Sequence, residues 1–176
     1  MPQQPQSISQ DDARYPSRIR ERLGADAQTI LTALGNIGLL AQSKTALFCS
    51  ANCPGKAVLR TYDQVAAWRD AGQCVVSGFH SPVEKECLRI LFRGSQPIII
   101  CPARSLPQRV PPEWRKLLTD GRLLIVSAFA ASAHRVTAEL AVERNKFVAA
   151  LADQAFIAHA TSGCQIEAIV IALRKW

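Results

Sequence analysis

From Lys44 onward the chain alternates short apolar runs with longer amphipathic stretches. TALFCSA, QCVVSGF, PIIICPA, RLLIVSAF and AFIAHAT each have the length and composition of a buried strand. Between the first two lies KAVLRTYDQVAAWRDAG, a helical pattern that stops at Gly72. The next stretch, SPVEKECLRILFRG, carries a helix-start signature: Ser81 as N-cap, Pro82 at the first position and Glu84 closing a capping box. A Pro-rich loop, SLPQRVPP, leads into the short helix EWRKLLTDG. Further on, Leu140, Phe147, Val148 and Leu151 form one helical stripe, and Arg144 sits on it where an apolar residue is expected. Thr161-Ser162-Gly163 turns the chain into a last apolar helix, QIEAIVIALRKW.

Strands that barely alternate in polarity and are separated by helices predict a mostly parallel sheet covered on both faces. The expected fold class is α/β, a three-layer Rossmann-like domain over residues 43–176. Ahead of it, Ile19, Leu23, Ile30, Leu31 and Leu34 give a weak helical stripe ended by Gly35-Asn36, which predicts a short helical appendage over residues 14–42. Residues 1–13, rich in Gln, Ser, Pro and Asp, are expected to be a disordered tail.

The length of 176 residues suits one domain with a full core, and 48% apolar with 20% charged residues is a globular composition. No apolar run approaches the ~18 residues of a membrane span, and the polar start lacks a signal-peptide core, so a cytoplasmic protein without membrane contact is expected. The six cysteines sit mostly in or beside apolar runs and are expected to be free thiols. Charge changes the picture more. The net charge is +7, and residues 43–136, with thirteen basic and six acidic side chains, hold the whole excess. Such a field favours a phosphate-rich partner.

Candidate chemistry gathers at the strand ends. Ser50, Ser77-Gly78, Ser127 and Ser162-Gly163 are small or hydroxyl residues where strands give way to helices. Open amides at such corners cradle phosphate, although strand-to-helix turns need small residues in any case. Arg144, Asn145 and Lys146 follow one another on a helix, so they cannot all face one site. The candidate phosphate or nucleic-acid contacts are Ser50, Ser77, Gly78, Arg144, Asn145, Lys146, Ser162 and Gly163, with Arg104, Arg109, Arg115 and Lys116 extending the track. Cys49, Cys53, His80, Cys101 and Cys164 offer ligand types for zinc, but no Cys-x-x-Cys pair is present and no metal or other cofactor is expected. CSANCPG follows the first strand in place of a G-x-G-x-x-G fingerprint, which argues against a dinucleotide.

In order along the chain, these motifs resemble those of the DNA-processing DprA/Smf family, from about Tyr15 onward. Tyr15-Pro16 and Leu34-Gly35 resemble its entry segment, and Phe48-Cys49-Ser50-Ala51 stands for its V-G-S-R strand end. Ser77-Gly78 matches S-G-x-A-x-G-I-D, Ile125-Val126-Ser127 matches I-S-E, Arg144-Asn145-Lys146 matches R-N-R, and Ser162-Gly163 with Ala168 matches S-G-S-x-x-T-A. The family's strand-one arginine is Ala51 here, its G-I-D is Pro82-Val83-Glu84, its later histidine is Leu88, its I-S-E carboxylate is Ala128 and its last threonine is Glu167. The winged-helix extension is expected to be lacking. The resemblance implies a Rossmann-like fold, single-stranded DNA binding, a homodimer, and a recombinase partner in DNA uptake.

The reading that follows is non-catalytic binding of single-stranded DNA or a nucleotide phosphate in DNA processing. The alternative is a site for a small nucleotide derivative, as in phosphoribohydrolase-like Rossmann proteins. Their P-G-G-x-G-T-x-x-E motif has no match here, although Glu167 follows Gly163 at a similar distance.

Overall fold

The computed structural model describes residues 4–161, 163 and 165–173. Its centre is a seven-stranded sheet: β1 (Gln6–Ser9), β2 (Ile30–Gly35), β3 (Lys44–Cys49), β4 (Cys74–Ser77), β5 (Ile98–Ile100), β6 (Leu123–Ser127) and β7 (Gln154–His159), in the order β1-β2-β6-β5-β4-β3-β7. The five strands from β6 to β7 in that order run parallel, while β2 joins β6 and β1 joins β2 antiparallel. The helices are α1 (Ser17–Leu23), α2 (Gly55–Asp70), α3 (Pro82–Phe92), α4 (Pro112–Thr119), α5 (Ala138–Leu151) and α6 (Gln165–Leu173). The expected mostly parallel α/β architecture is the one observed.

Burial on both faces explains why the strands read as continuous apolar runs. In β3, Ala46 and Phe48 join one core with α1, α5 and α6, while Leu47 and Cys49 join the other with α2, α3 and α4. β6 divides in the same way, Leu124 and Val126 against Leu123 and Ile125. Period-two side chains thus feed two apolar layers, and neither strand face needs polar residues.

The N-terminal segment differs from expectation. The helical stripe at Ile30, Leu31 and Leu34 is strand β2, and part of the expected disordered tail, Gln6–Ser9, is strand β1. The physical reason is shared burial. Leu31 and Ala33 enter one core and Leu34 the other, so alternation disappears and a helical spacing emerges by coincidence. The α-helix in this region is α1, about two turns long; Gly24–Asp26 and Ile37–Ala41 are short 3-10 turns.

β3 lies between β4 and β7. The chain leaves β3 through α2 on one face and reaches β7 through α5 on the other. That reversal opens a crevice beyond the carboxyl end of β3, the position at which open α/β sheets hold ligands.

Candidate nucleic-acid interface

A cleft of about 340 Å³ fills this crevice. Its walls are the end of β3 (Cys49, Ser50, Ala51), the turn into α3 (His80, Ser81, Pro82, Glu84), α5 (Ala141, Arg144, Asn145) and Ile166 of α6. Arg144 lies at its base, only 5% exposed. Its Nη1 donates to the Cys101 carbonyl at 3.3 Å and its Nε to Asn145 Oδ1 at 2.8 Å. A Cβ at position 78 would fall inside the guanidinium, so the bare Cα of Gly78 is what lets the arginine lie across the end of β4. Burial pushes the Arg144 pKa down, and the nearby Glu84 carboxylate pushes it back up.

Glu84 anchors the opposite wall. Both halves of the predicted capping box with Ser81 are present. The carboxylate also reaches across to β3: Oε1 accepts from Cys49 N at 2.9 Å, while Oε2 accepts from His80 N at 2.9 Å and Ser81 N at 3.1 Å. The sequence signals the cap; nothing in it signals the bond to β3.

The other strand ends are closed in the same way. Ser77 is buried and its hydroxyl accepts from Phe79 N, holding Phe79 at a φ of 46°. Ser127 Oγ accepts from Phe129 N, and Ser50 Oγ accepts from Thr161 N. Gly163 N donates to Glu167 Oε2 at 2.8 Å. The expectation of open amides at the strand ends is therefore corrected. At Cys49, Phe79, His80, Ser81, Phe129, Thr161 and Gly163 the chain's own carboxylates and hydroxyls take them, and at the buried positions among these an amide without a partner would be costly.

Of the candidate residues, Ser50, Arg144 and Asn145 line one cleft, and Gly78 supports it from beneath. Ser77 is too buried to meet a ligand. Gly163 is exposed with its amide taken. Lys146 points away, into a separate concavity with Asp26, Gln28 and Glu143 beside α1, as two steps along a helix require. Ser162 lies outside the described residues. The five described cysteines are free thiols.

Sequence reasoning placed Arg104 and Arg109 on a basic track and gave His134 no role. The structure brings the three together around a second concavity of about 480 Å³, built from the loops after β5 and β6 at the same rim of the sheet. The Ser105 hydroxyl lies 3.5 Å from His134 Nδ1, and Ser105 N donates to the Ala133 carbonyl, so the two loops are tied together. Arg104 and Arg109 are exposed, and no acidic residue lines this concavity among the described residues. The other two cations of the expected track lie on α4, where Lys116 pairs with Asp120 at 2.9 Å.

Comparison with known proteins follows the architecture. DNA processing protein A (DprA) from Streptococcus pneumoniae is similar with a TM-score of 0.75 and 20% identity, over 95% of this chain and 60% of that one. DNA processing protein A from Helicobacter pylori, described for a unique single-stranded DNA binding mode, is similar with a TM-score of 0.75 and 17% identity, over 98% of this chain and 77% of that one. At these identities the likeness is one of fold, and the chain spans about 60% of the length of the pneumococcal protein. No curated protein matches the chain by sequence. A sequence model of the DNA recombination-mediator protein A family matches residues 6–174, and the chain belongs to that family.

Proposed function

We propose that the chain binds single-stranded DNA along the carboxyl rim of its sheet, in DNA processing, and performs no chemistry on it. The observation that carries this reading is the concavity in which Arg104, Arg109 and His134 stand without a carboxylate. Family membership and the described property of the Helicobacter pylori protein support it. Because the amides of the strand ends are taken, side-chain cations do the binding. Ser50, Arg144 and Asn145 shape the adjoining cleft, and Gly78 sets the height of its floor. The reading includes action in the cytoplasm, a homodimer and a recombinase partner, which sedimentation and pull-down with a purified recombinase would examine.

Salt dependence is the test. Each phosphate neutralised contributes about 0.7 to the slope of log affinity against log salt for a single strand. Anisotropy titrations of a labelled oligonucleotide are expected to show a steep slope. Arg104→Ala with Arg109→Ala should flatten that slope by about 1.4 and weaken binding at low salt about tenfold or more. Binding that ignores salt, or survives the double substitution unchanged, would remove the proposal.

A second reading rests on the first cleft, whose volume lies at the lower end of the range for small-ligand sites. Thermal stabilisation by a mononucleotide, with none by an oligonucleotide, would favour it.

A further inference from the structure

Histidine is the side chain whose charge ordinarily changes near physiological pH, and the basic concavity contains one. His134 is exposed on the loop after β6 and lines the concavity with Arg104 and Arg109 of the loop after β5. Backbone bonds fix their relative positions. Ser105 N donates to the Ala133 carbonyl at 2.8 Å, His134 N to the Ser132 carbonyl at 2.9 Å, and the Ser127 hydroxyl to the Arg104 carbonyl at 2.7 Å. The His134 Nδ1 lies 3.5 Å from the hydroxyl of buried Ser105. A hydroxyl can accept from a protonated ring nitrogen or donate to a bare one, so this contact tolerates either charge on the ring. With Nδ1 turned to Ser105, Nε2 is the ring nitrogen left for a ligand. The charged side chains that line the concavity with His134 are Arg104 and Arg109, and exposed Arg135 follows it in sequence. The nearest acidic residue along the chain, Glu139, belongs to the first turn of α5 and does not line the concavity.

We infer that single-stranded DNA binding is coupled to protonation of His134, whose ring takes up a proton as a phosphodiester settles among the three side chains. This rests on the proposed reading of the concavity as the DNA contact. With the ring neutral, a phosphate meets two cations there; with the ring charged, it meets three. An anion within reach favours the charged form of a base. The coupling is reciprocal: the strand strengthens the ring's hold on its proton, and a fall in pH strengthens the protein's hold on the strand. The proton comes from the buffer, and no bond of the DNA changes. His80 and His159 line other clefts and take no part.

The test uses the full chain and a labelled oligothymidylate, whose bases and phosphodiesters keep one charge state between about pH 6 and 8. Anisotropy titrations at fixed salt should show binding about three- to tenfold tighter at the lower pH than at the higher. Calorimetry near neutral pH, in two buffers of different ionisation heat, should show net proton uptake of less than one per bound site. His134→Gln should bind with one affinity across the range and take up no proton. His134→Arg, charged throughout, should also be flat, and should bind more tightly than the parent at the higher pH. Circular dichroism at both pH values verifies that the variants fold. A parent that binds with a steep salt slope but equal affinity at both pH values would overturn the inference and leave the DNA-binding proposal standing. A pH dependence that persists in His134→Gln would overturn it too, since another group would then be titrating. No oligonucleotide binding at either pH would remove the DNA-binding proposal, and the coupling with it.

Discussion

Gly78 and Arg144 compete for the same space, and the outcome shapes the cleft. A methyl group at position 78 would enter the guanidinium, which is already fixed by the Cys101 carbonyl and by Asn145. Gly78→Ala should therefore cost about 1–3 kcal/mol, as other forced insertions into packed sites do. In an Arg144→Ala background the same change should cost at least about 1 kcal/mol less, since the competing group is gone. Urea unfolding of the four proteins in the cycle checks this; strict additivity would show that the two residues do not share the site.

The buried thiols give a second residue-scale expectation. Burial pushes Cys74, Cys87 and Cys101 from an ordinary value of 9.0 up to about 12, with Lys44 opposing at Cys74 and Arg144 at Cys101. Between about pH 9 and 12 the unfolded chain releases these protons while the folded chain retains them. Their contribution is thus fully present below pH 9 and lost as pH rises toward 12. Under reducing conditions, unfolding free energy measured across that window should fall less steeply in Cys87→Ala than in the parent. Equal slopes would refute the assignment.

At the scale of elements, β2 shows what one glycine decides. Gly35 closes the strand at a φ of +115°, and a Cβ there would fall inside contact distance of the Leu123 carbonyl oxygen. Asn36 then donates its backbone N–H to that same oxygen and its side-chain amide to the Gly121 carbonyl. Gly35→Ala should cost about 2–4 kcal/mol through backbone strain and displacement of β6. A denaturant midpoint within error of the parent would contradict this geometry. The same strand marks the limit of the sequence reading. From Lys44 onward, caps, breakers and apolar runs agree with one another, and the observed elements follow them closely. In β2, burial on both faces erased the alternation, and Gly35-Asn36 suited a helix end as well as a strand end. The cleft was readable only in part for a related reason. A stripe position reveals that Arg144 turns inward, but the bond from Cys49 to Glu84 links strand β3 to helix α3, and local patterns carry no trace of it.

For the molecule as a whole, the N-terminal segment completes the sheet far along the row from β3, where the cleft opens. β1 pairs with β2 from Gln6 opposite Ala33 to Ser9 opposite Ile30, and Ile8 is 0% exposed in the core that also holds Ile19, Leu31 and Phe147. α1 is bound to that core from outside by Arg18 paired with Asp153 and by Arg22, whose Nη1 donates to the carbonyls of Ala149, Ala150 and Ala152. Arg22 thereby satisfies carbonyls at the end of α5, the helix that carries Arg144. Removing the Ile8 side chain leaves a cavity in this shared core, so Ile8→Ala should cost about 2–4 kcal/mol. A disordered tail would tolerate the change without loss. Because β1 is the edge strand of the sheet and carries none of the candidate DNA contacts, the folded variant should hold oligonucleotide with parental affinity and salt slope. Stability and binding measured on one sample separate the two roles: unchanged stability would return residues 6–9 to a tail, and lost affinity in the folded state would extend the binding surface to the far edge of the sheet.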